Sequence, residues 1–164
     1  MGNRAVITIA KYDTNGKVIE KVDDNEIGVY LHWNGGYDSV NAFLKYCKLC
    51  GHREPEQDNY GWARLCQVIG NYFGGTTSIG IDTCNHLDCN NWNNGVYLIH
   101  NWEIVGRVYH EGREQTNYDL REMLVEINNR QPESERCSEF EIDDFLKQEG
   151  LYFVEDKTDE SVDD

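Results

Sequence analysis

The chain has 164 residues, a size that suits one domain and nearly rules out two independently folded halves. Hydrophobic residues make up 39% and aromatic residues 12%, too much apolar material for a wholly disordered chain. The formal net charge is −15 at pH 7, so the protein repels phosphates, which disfavours direct binding to nucleic acid or to an anionic membrane. Because no apolar run is long enough to cross a bilayer and the first residues do not have the pattern of a signal peptide, we expect a cytoplasmic protein.

The chain opens with predicted strands. Residues 4 to 12 carry apolar side chains on alternating faces, which predicts a strand buried on one or both sides. Asn15 and Gly16 form a dipeptide typical of hairpin turns. Residues 27 to 33 alternate in the same way and predict another strand.

Two helices are predicted next, because the apolar period changes from two to between three and four. Residues 40 to 47 carry one apolar face, and this helix is expected to be capped by Asp38 or Ser39 and to end at Gly51. Residues 60 to 73 predict the second helix.

Strands return in the middle of the chain. The alternation from residue 76 to residue 82 predicts one strand. Residues 96 to 100 and 104 to 109 predict two more, joined by a tight turn at Asn101 and Trp102 into an antiparallel hairpin.

The last third predicts helices. Thr116, with Asp119 three residues later, resembles a capping box that opens a third helix. A shorter helical pattern follows, with Phe140, Phe145 and Leu146 as its apolar residues.

This order of elements predicts an α+β fold: an antiparallel or mixed sheet of about five to six strands with three or four helices packed on it, in a single domain. We place this domain at residues 1 to 154. Residues 155 to 164 are almost devoid of apolar side chains and are expected to form a disordered acidic tail.

The negative charge is concentrated at the end of the chain. Residues 133 to 164 contain thirteen acidic and three basic residues, which is two thirds of the net charge of the whole protein. An acidic surface of this kind favours a basic partner, although high charge also serves solubility alone in many proteins.

Six cysteines without a secretory signal favour free thiols or metal ligation over disulfides. Five residues at spacings typical of zinc ligands offer soft donors for one tetrahedral zinc ion: Cys47, Cys50, Cys84, His86 and Cys89. Cys47 also fits the apolar face of the first helix, where a cysteine is an ordinary core residue.

Catalytic motifs are absent from the sequence. It contains neither the Gly-x-Ser-x-Gly pattern of serine hydrolases nor the His-Glu-x-x-His pattern of metalloproteases. A cysteine and a histidine that are distant in sequence can still pair in space. The alternative to a binding protein is therefore a zinc- or cysteine-dependent enzyme that acts on a nucleotide or nucleic acid.

Four segments resemble a family of small uncharacterised proteins carried by bacteria, their phages and other mobile elements: residues 2 to 7 (GNRAVI), 29 to 36 (VYLHWNGG), 60 to 69 (YGWARLCQVI) and 78 to 82 (SIGID). The resemblance covers about residues 2 to 115 and implies no catalytic residue. In size and acidity, although not in motifs, the chain is similar to anti-CRISPR and anti-restriction proteins.

These observations predict a non-enzymatic acidic inhibitor that mimics nucleic acid and blocks the basic nucleic-acid-binding site of a host nuclease or guided effector. Because exposed charge pairs contribute only about 0 to 1 kcal/mol each, tight binding also requires aromatic anchors. The predicted partner-binding residues are carboxylates and tryptophans: Asp88, Trp92, Trp102, Glu139, Glu141, Asp143 and Asp144. No cofactor is required, zinc being the alternative.

Overall fold

A computed structural model of the protein describes residues 2–75, 78–114 and 117–151. Within these ranges five strands form one mixed sheet and four α-helices accompany it, which confirms the predicted single-domain α+β fold. The strands are β1 (Ala5–Ile9), β2 (Ile27–Leu31), β3 (Ile79–Thr83), β4 (Val96–His100) and β5 (Glu103–Val108). The helices are α1 (Tyr37–Leu49), α2 (Asn59–Phe73), α3 (Leu120–Asn129) and α4 (Glu139–Gln148), and short 3-10 turns lie at Cys84–His86 and Glu133–Glu135.

The strands lie in the order β3-β2-β1-β4-β5. All neighbours pair antiparallel except β1 and β4, which are parallel. Ile7 of the central strand pairs with Val29 on one side and with Tyr97 on the other. Parallel pairing needs a long crossover, and here the chain forms β2, α1, α2 and β3 between the two partners.

The two faces of the sheet bury two separate clusters, because successive residues of a strand point to opposite sides. Ile7, Val29 and Tyr97 belong to the larger cluster, under the helices. Val6 and Leu98 belong to the smaller one, which the loops around residues 18 to 22 and 84 to 89 cover.

Helix α1 lies at the centre of the helical layer and contacts both α2 and α3. Phe43 and Leu44 are fully buried there. Lys45 is also buried, and its Nζ lies 3.0 Å from Glu103 Oε1 on β5. The helix ends as predicted, because Gly51 takes the positive φ of 74° that a helix terminus favours.

The predicted cap of α1 is wrong. Its N-cap is Gly36, without a side-chain hydrogen bond, and Asp38 lies in the first turn. Asp38 Oδ1 accepts a hydrogen bond from the adjacent Ser39 amide at 2.7 Å, and Oδ2 accepts from the backbone amides of Asn117 and Tyr118 at 2.7 and 3.0 Å. The carboxylate therefore contacts the first turn of α1 with one oxygen and a segment about eighty residues away with the other.

The third helix begins later than predicted. Asp119 is its N-cap and accepts a hydrogen bond from the Glu122 amide, so Asp119 precedes the helix instead of lying in its first turn. Thr116 lies outside the described residues. So do Thr76 and Thr77, where the third strand was expected to start, and the predicted domain end at 154 with the tail of residues 155 to 164. No helix in the described ranges is long and apolar enough to cross a membrane.

Candidate functional site

Helix α4 is fixed to the protein at its start. Ser138 Oγ accepts a hydrogen bond from the Glu141 amide, and the Glu141 carboxylate accepts one from the Ser138 amide, which together form a capping box. Ile142 and Leu146 are buried in the helix-side cluster. The helix therefore has one docked face and a fixed N-terminus.

Arg121 of α3 clamps α4 from the side. Its Nε lies 2.6 Å from Asp143 Oδ1, and its Nη2 lies 3.1 Å from Asp143 Oδ2 and 3.2 Å from Glu139 Oε1. The bidentate pairing with Asp143, supported by Glu139, outweighs the opposing effect of burial and holds the pKa of Arg121 above its usual value. Asp143 therefore attaches α4 to α3 and is less available to bind a partner.

The outer side of α4 presents an exposed aromatic ring among carboxylates. Phe140, one of the apolar residues whose pattern predicts this helix, has 77% of its surface exposed. Glu139 and Glu141 flank it in sequence, and Asp144 follows one helical turn later. We call these four residues the α4 acidic surface. Residues 133 to 151 contain seven acidic residues against two basic ones, so the surroundings of the ring are negative as well.

Trp102 is the one predicted anchor that the structure places in the interior. Only 2% of it is exposed, and its Nε1 donates a hydrogen bond to the His52 carbonyl at 2.8 Å. Asn101 and Trp102 form the predicted tight turn between β4 and β5, with φ of 56° and 63°. The turn directs the indole into the core under the helices. The prediction that Trp102 binds a partner is therefore wrong.

Asp88 and Trp92 lie on a different surface from α4. Trp92 is 73% exposed, in a loop that the buried Asn91 holds through hydrogen bonds to Gly95 and Asp88. Asp88 lies 3.7 Å from Arg4 Nη1, and Cys89 beside it packs in the loop-side cluster. The sheet therefore separates this loop from the helical layer, and the seven predicted residues do not form one surface.

The structure does not bring the candidate zinc ligands together. Cys47 is fully buried in the helix-side cluster, whereas Cys84 and Cys89 pack on the other side of the sheet. His86 is exposed and lies 3.4 Å from Asp82. Across the described ranges, no three His, Cys, Asp or Glu side chains form a group that could hold a metal ion.

Cys84 and Cys89 instead form a thiol pair. Cys89 Sγ donates a hydrogen bond to the Cys84 carbonyl oxygen at 3.6 Å, and both cysteines pack in the same cluster on the loop side of the sheet. The hydrogen bond from Cys89 outweighs burial and lowers the pKa of Cys84 to about 7, while the same bond and burial raise the pKa of Cys89. The sequence pattern paired these residues correctly but assigned them to a metal.

A second thiol pair, Cys50 and Cys137, was not predicted. The two thiols line one cavity of about 530 Å³ between α1, α2 and the segment before α4, and each influences the pKa of the other. Burial raises the pKa of both thiols, that of Cys50 to about 12, so the pair is unreactive at neutral pH. They lie 87 positions apart, so sequence spacing gives no signal for their contact.

Histidine 52 lines the same cavity. Burial and the nearby Arg64 guanidinium lower the pKa of its imidazole, so the ring is neutral at pH 7. In the described part of the chain, no cysteine thiol has a histidine ring as its hydrogen-bond partner.

Comparison of the chain with protein-family models, with curated proteins and with solved structures found no match in any of the three. The resemblance of residues 2 to 115 to mobile-element proteins therefore stays a prediction.

Proposed function

We propose that the protein is a non-enzymatic acidic inhibitor that acts in the host cytoplasm. In this proposal the α4 acidic surface occupies the basic nucleic-acid-binding site of a host defence nuclease or guided effector. Carboxylates lie where the phosphates of the nucleic acid would otherwise bind.

The exposure of Phe140 is the observation that carries the proposal. An aromatic ring this exposed on the outer face of a docked helix contributes nothing evident to the core. Aromatic side chains are enriched among the residues that contribute most to protein interfaces. In the proposed complex, Phe140 is the aromatic anchor that the partner buries. The sequence analysis assigned this role to Trp102.

The surrounding carboxylates supply charge complementarity. Glu139, Glu141 and Asp144 are exposed on α4, and a basic groove attracts them over distances of about 10 Å at moderate salt. Each exposed ion pair contributes about 0 to 1 kcal/mol, so the charges speed association and select the partner while the ring supplies contact area.

The attachment of α4 also favours binding. The capping box and the Arg121 clamp order the helix before it meets a partner. A surface that is already ordered loses less conformational entropy on association than a flexible segment does.

The test begins with capture of partners from host lysate by the tagged protein at low and at high salt. The proposal expects a nucleic-acid-handling protein that dissociates at high salt. The purified partner is then titrated with labelled nucleic acid in the presence of the inhibitor, and competition is expected. Binding of both ligands together would overturn the proposal, as would turnover of a nucleotide substrate that thiol alkylation abolishes.

Two matched variants locate the binding surface. Phe140→Ala combined with Asp144→Asn is expected to weaken binding at least about tenfold. Trp92→Ala combined with Glu111→Gln removes one exposed aromatic ring and one exposed carboxylate outside the α4 acidic surface. This variant is expected to bind the partner with an affinity within about twofold of that of the unaltered protein. The reverse result would move the binding surface to the loop of Asp88 and Trp92.

A further inference from the structure

The turn after β3 folds back on itself and brings two cysteines together. Cys84 opens the 3-10 turn, the Leu87 amide donates to the Cys84 carbonyl at 3.1 Å, and the Cys89 amide donates to the Leu87 carbonyl at 2.9 Å. These bonds place Cys89 Sγ 3.6 Å from the Cys84 carbonyl oxygen, and both cysteines line the same cavity.

A cavity adjoins this pair, in which Cys84 is buried and Cys89 is partly exposed. Cys84 and Cys89 both line a cavity of about 620 Å³, whose other walls include Val22, Asp24 and Val108. The cavity lies on the loop side of the sheet, away from α4. The pair also has the thiolate that oxidation needs, because the hydrogen bond from Cys89 lowers the pKa of Cys84.

The other cysteines differ in this respect. Burial raises the pKa of Cys47, Cys50, Cys66 and Cys137, so each of them is protonated at neutral pH. The Cys50–Cys137 pair is thus an internal control. It also consists of two cysteines that line one cavity, but neither of them is a thiolate at neutral pH.

We propose that Cys84 and Cys89 are a redox modification site, at which hydrogen peroxide forms a reversible disulfide. The Cys84 thiolate attacks one peroxide oxygen, the O–O bond breaks, and the departing hydroxide takes up a proton to become water. The sulfenic acid formed on Cys84 is then attacked by the Cys89 sulfur, which loses its proton as the S–S bond forms and a second water leaves. Two thiols are oxidised to one disulfide, and one peroxide is reduced to two waters.

The cross-link restrains the turn and the start of the loop that displays Trp92, a region independent of the proposed α4 binding surface. This inference does not rest on the proposed function.

The test uses the full-length reduced protein at pH 7 with peroxide at increasing exposure, followed by alkylation and peptide mapping. We expect a Cys84–Cys89 disulfide to form more than about tenfold faster than any product at Cys50, Cys66 or Cys137, and dithiothreitol to reverse it. The proposal is overturned if Cys84 and Cys89 stay reduced while other cysteines react, or if each is oxidised separately without a disulfide.

Variants identify the attacking sulfur. Cys89→Ser is expected to leave a sulfenic acid on Cys84 that dimedone traps, whereas Cys137→Ser leaves the rate of the Cys84–Cys89 disulfide unchanged. Absence of a trapped adduct in folded Cys89→Ser contradicts the assigned order of attack. Peptide mapping of the unaltered chain keeps the site itself testable even where a variant fails to fold.

Discussion

Trp102 combines an unfavourable backbone with a favourable side-chain position. Its φ of 63° lies in the left-handed region, which costs a residue with a Cβ about 1–2 kcal/mol. The indole offsets this cost, because it is buried and its N–H has a backbone acceptor. Local sequence rules expect glycine at this turn position, so they cannot detect that tertiary packing retains tryptophan.

Two substitutions separate these opposing effects. Trp102→Ala is expected to destabilise the protein by about 3–5 kcal/mol, because it removes the buried indole and keeps the strained backbone. Trp102→Gly loses the same contacts but relieves the strain, so it is expected to be about 1 kcal/mol less destabilising. Urea unfolding measures both, and Asn101→Gly in the same turn serves as a control expected within about 0.5 kcal/mol of the unaltered protein.

Equal destabilisation by Trp102→Ala and Trp102→Gly would show that the positive φ carries no cost here.

Asn128 joins three parts of the helical layer through one buried amide. Its Oδ1 accepts from the Tyr46 hydroxyl at 2.7 Å and from the Cys137 amide at 2.9 Å, and its Nδ2 donates to the Cys137 carbonyl at 2.7 Å. The residue is 4% exposed, so water cannot replace these bonds. The same contacts position Cys137 beside Cys50.

Asn128→Ala is expected to cost about 2–4 kcal/mol, because it leaves a hydroxyl and two backbone groups without partners in the interior. Tyr46→Phe removes only one of the three hydrogen bonds and is expected to cost about 1 kcal/mol. Chemical denaturation distinguishes the two values. Similar costs for both variants would mean that the Tyr46 bond accounts for most of the stabilisation.

At the scale of elements, Glu103 fastens β5 to α1. Lys45 and Lys48 of α1 lie 3.0 and 2.8 Å from its carboxylate oxygens, and both lysines also approach Glu149 at the end of α4. Burial raises the pKa of Glu103, but the two lysines outweigh it, so the pKa falls below its ordinary value of 4.5.

A carboxylate with a lowered pKa in the folded protein stabilises the fold above its unfolded pKa, and this contribution is lost as the pH falls through the folded value. Stability is therefore expected to decrease from about pH 5 downward. Glu103→Gln should be less stable than the unaltered protein at neutral pH and should show a flatter decrease in acid. Thermal unfolding across this range measures the slopes, and parallel curves would exclude a contribution from Glu103.

The elements themselves were largely predictable because their local patterns agree with their packing. The period of apolar residues identified all four helices and both strands of the β4–β5 hairpin. Local patterns were insufficient where a side chain had a hydrogen-bond partner far away in sequence, or had no packing partner. Asp38 binds amides about eighty positions away, and Phe140 fits a helical pattern while pointing to solvent.

At the scale of the whole molecule, the sheet determines which candidate functional residues can lie close together. Spacing suggested one zinc site, but Cys47 lies above the sheet and Cys84 below it. Conversely, Cys50 and Cys137 meet although nothing in their spacing connects them. Local sequence patterns show which residues belong to the same helix or strand. They do not show which helices and strands come together to form a site, because that depends on how the elements pack.

The net charge of −15 also acts on the whole fold, because like charges repel more strongly in the compact state than in the unfolded chain. Added salt is therefore expected to raise the melting temperature between about 20 mM and 300 mM, where screening becomes effective. Asp144→Asn removes one exposed negative charge and should raise the melting temperature at low salt, with the gain fading at high salt. Lys147→Gln, which adds to the net negative charge, should lower it under the same conditions.

The same variant connects stability to the proposed function. Asp144 belongs to the α4 acidic surface, so neutralising it should weaken partner binding while it stabilises the fold at low salt. Differential scanning calorimetry and a binding titration on one preparation measure both effects. A variant that gains stability and binds as well as the unaltered protein would show that the Asp144 charge serves solubility alone, and a variant that loses both would show that this carboxylate is part of the fold.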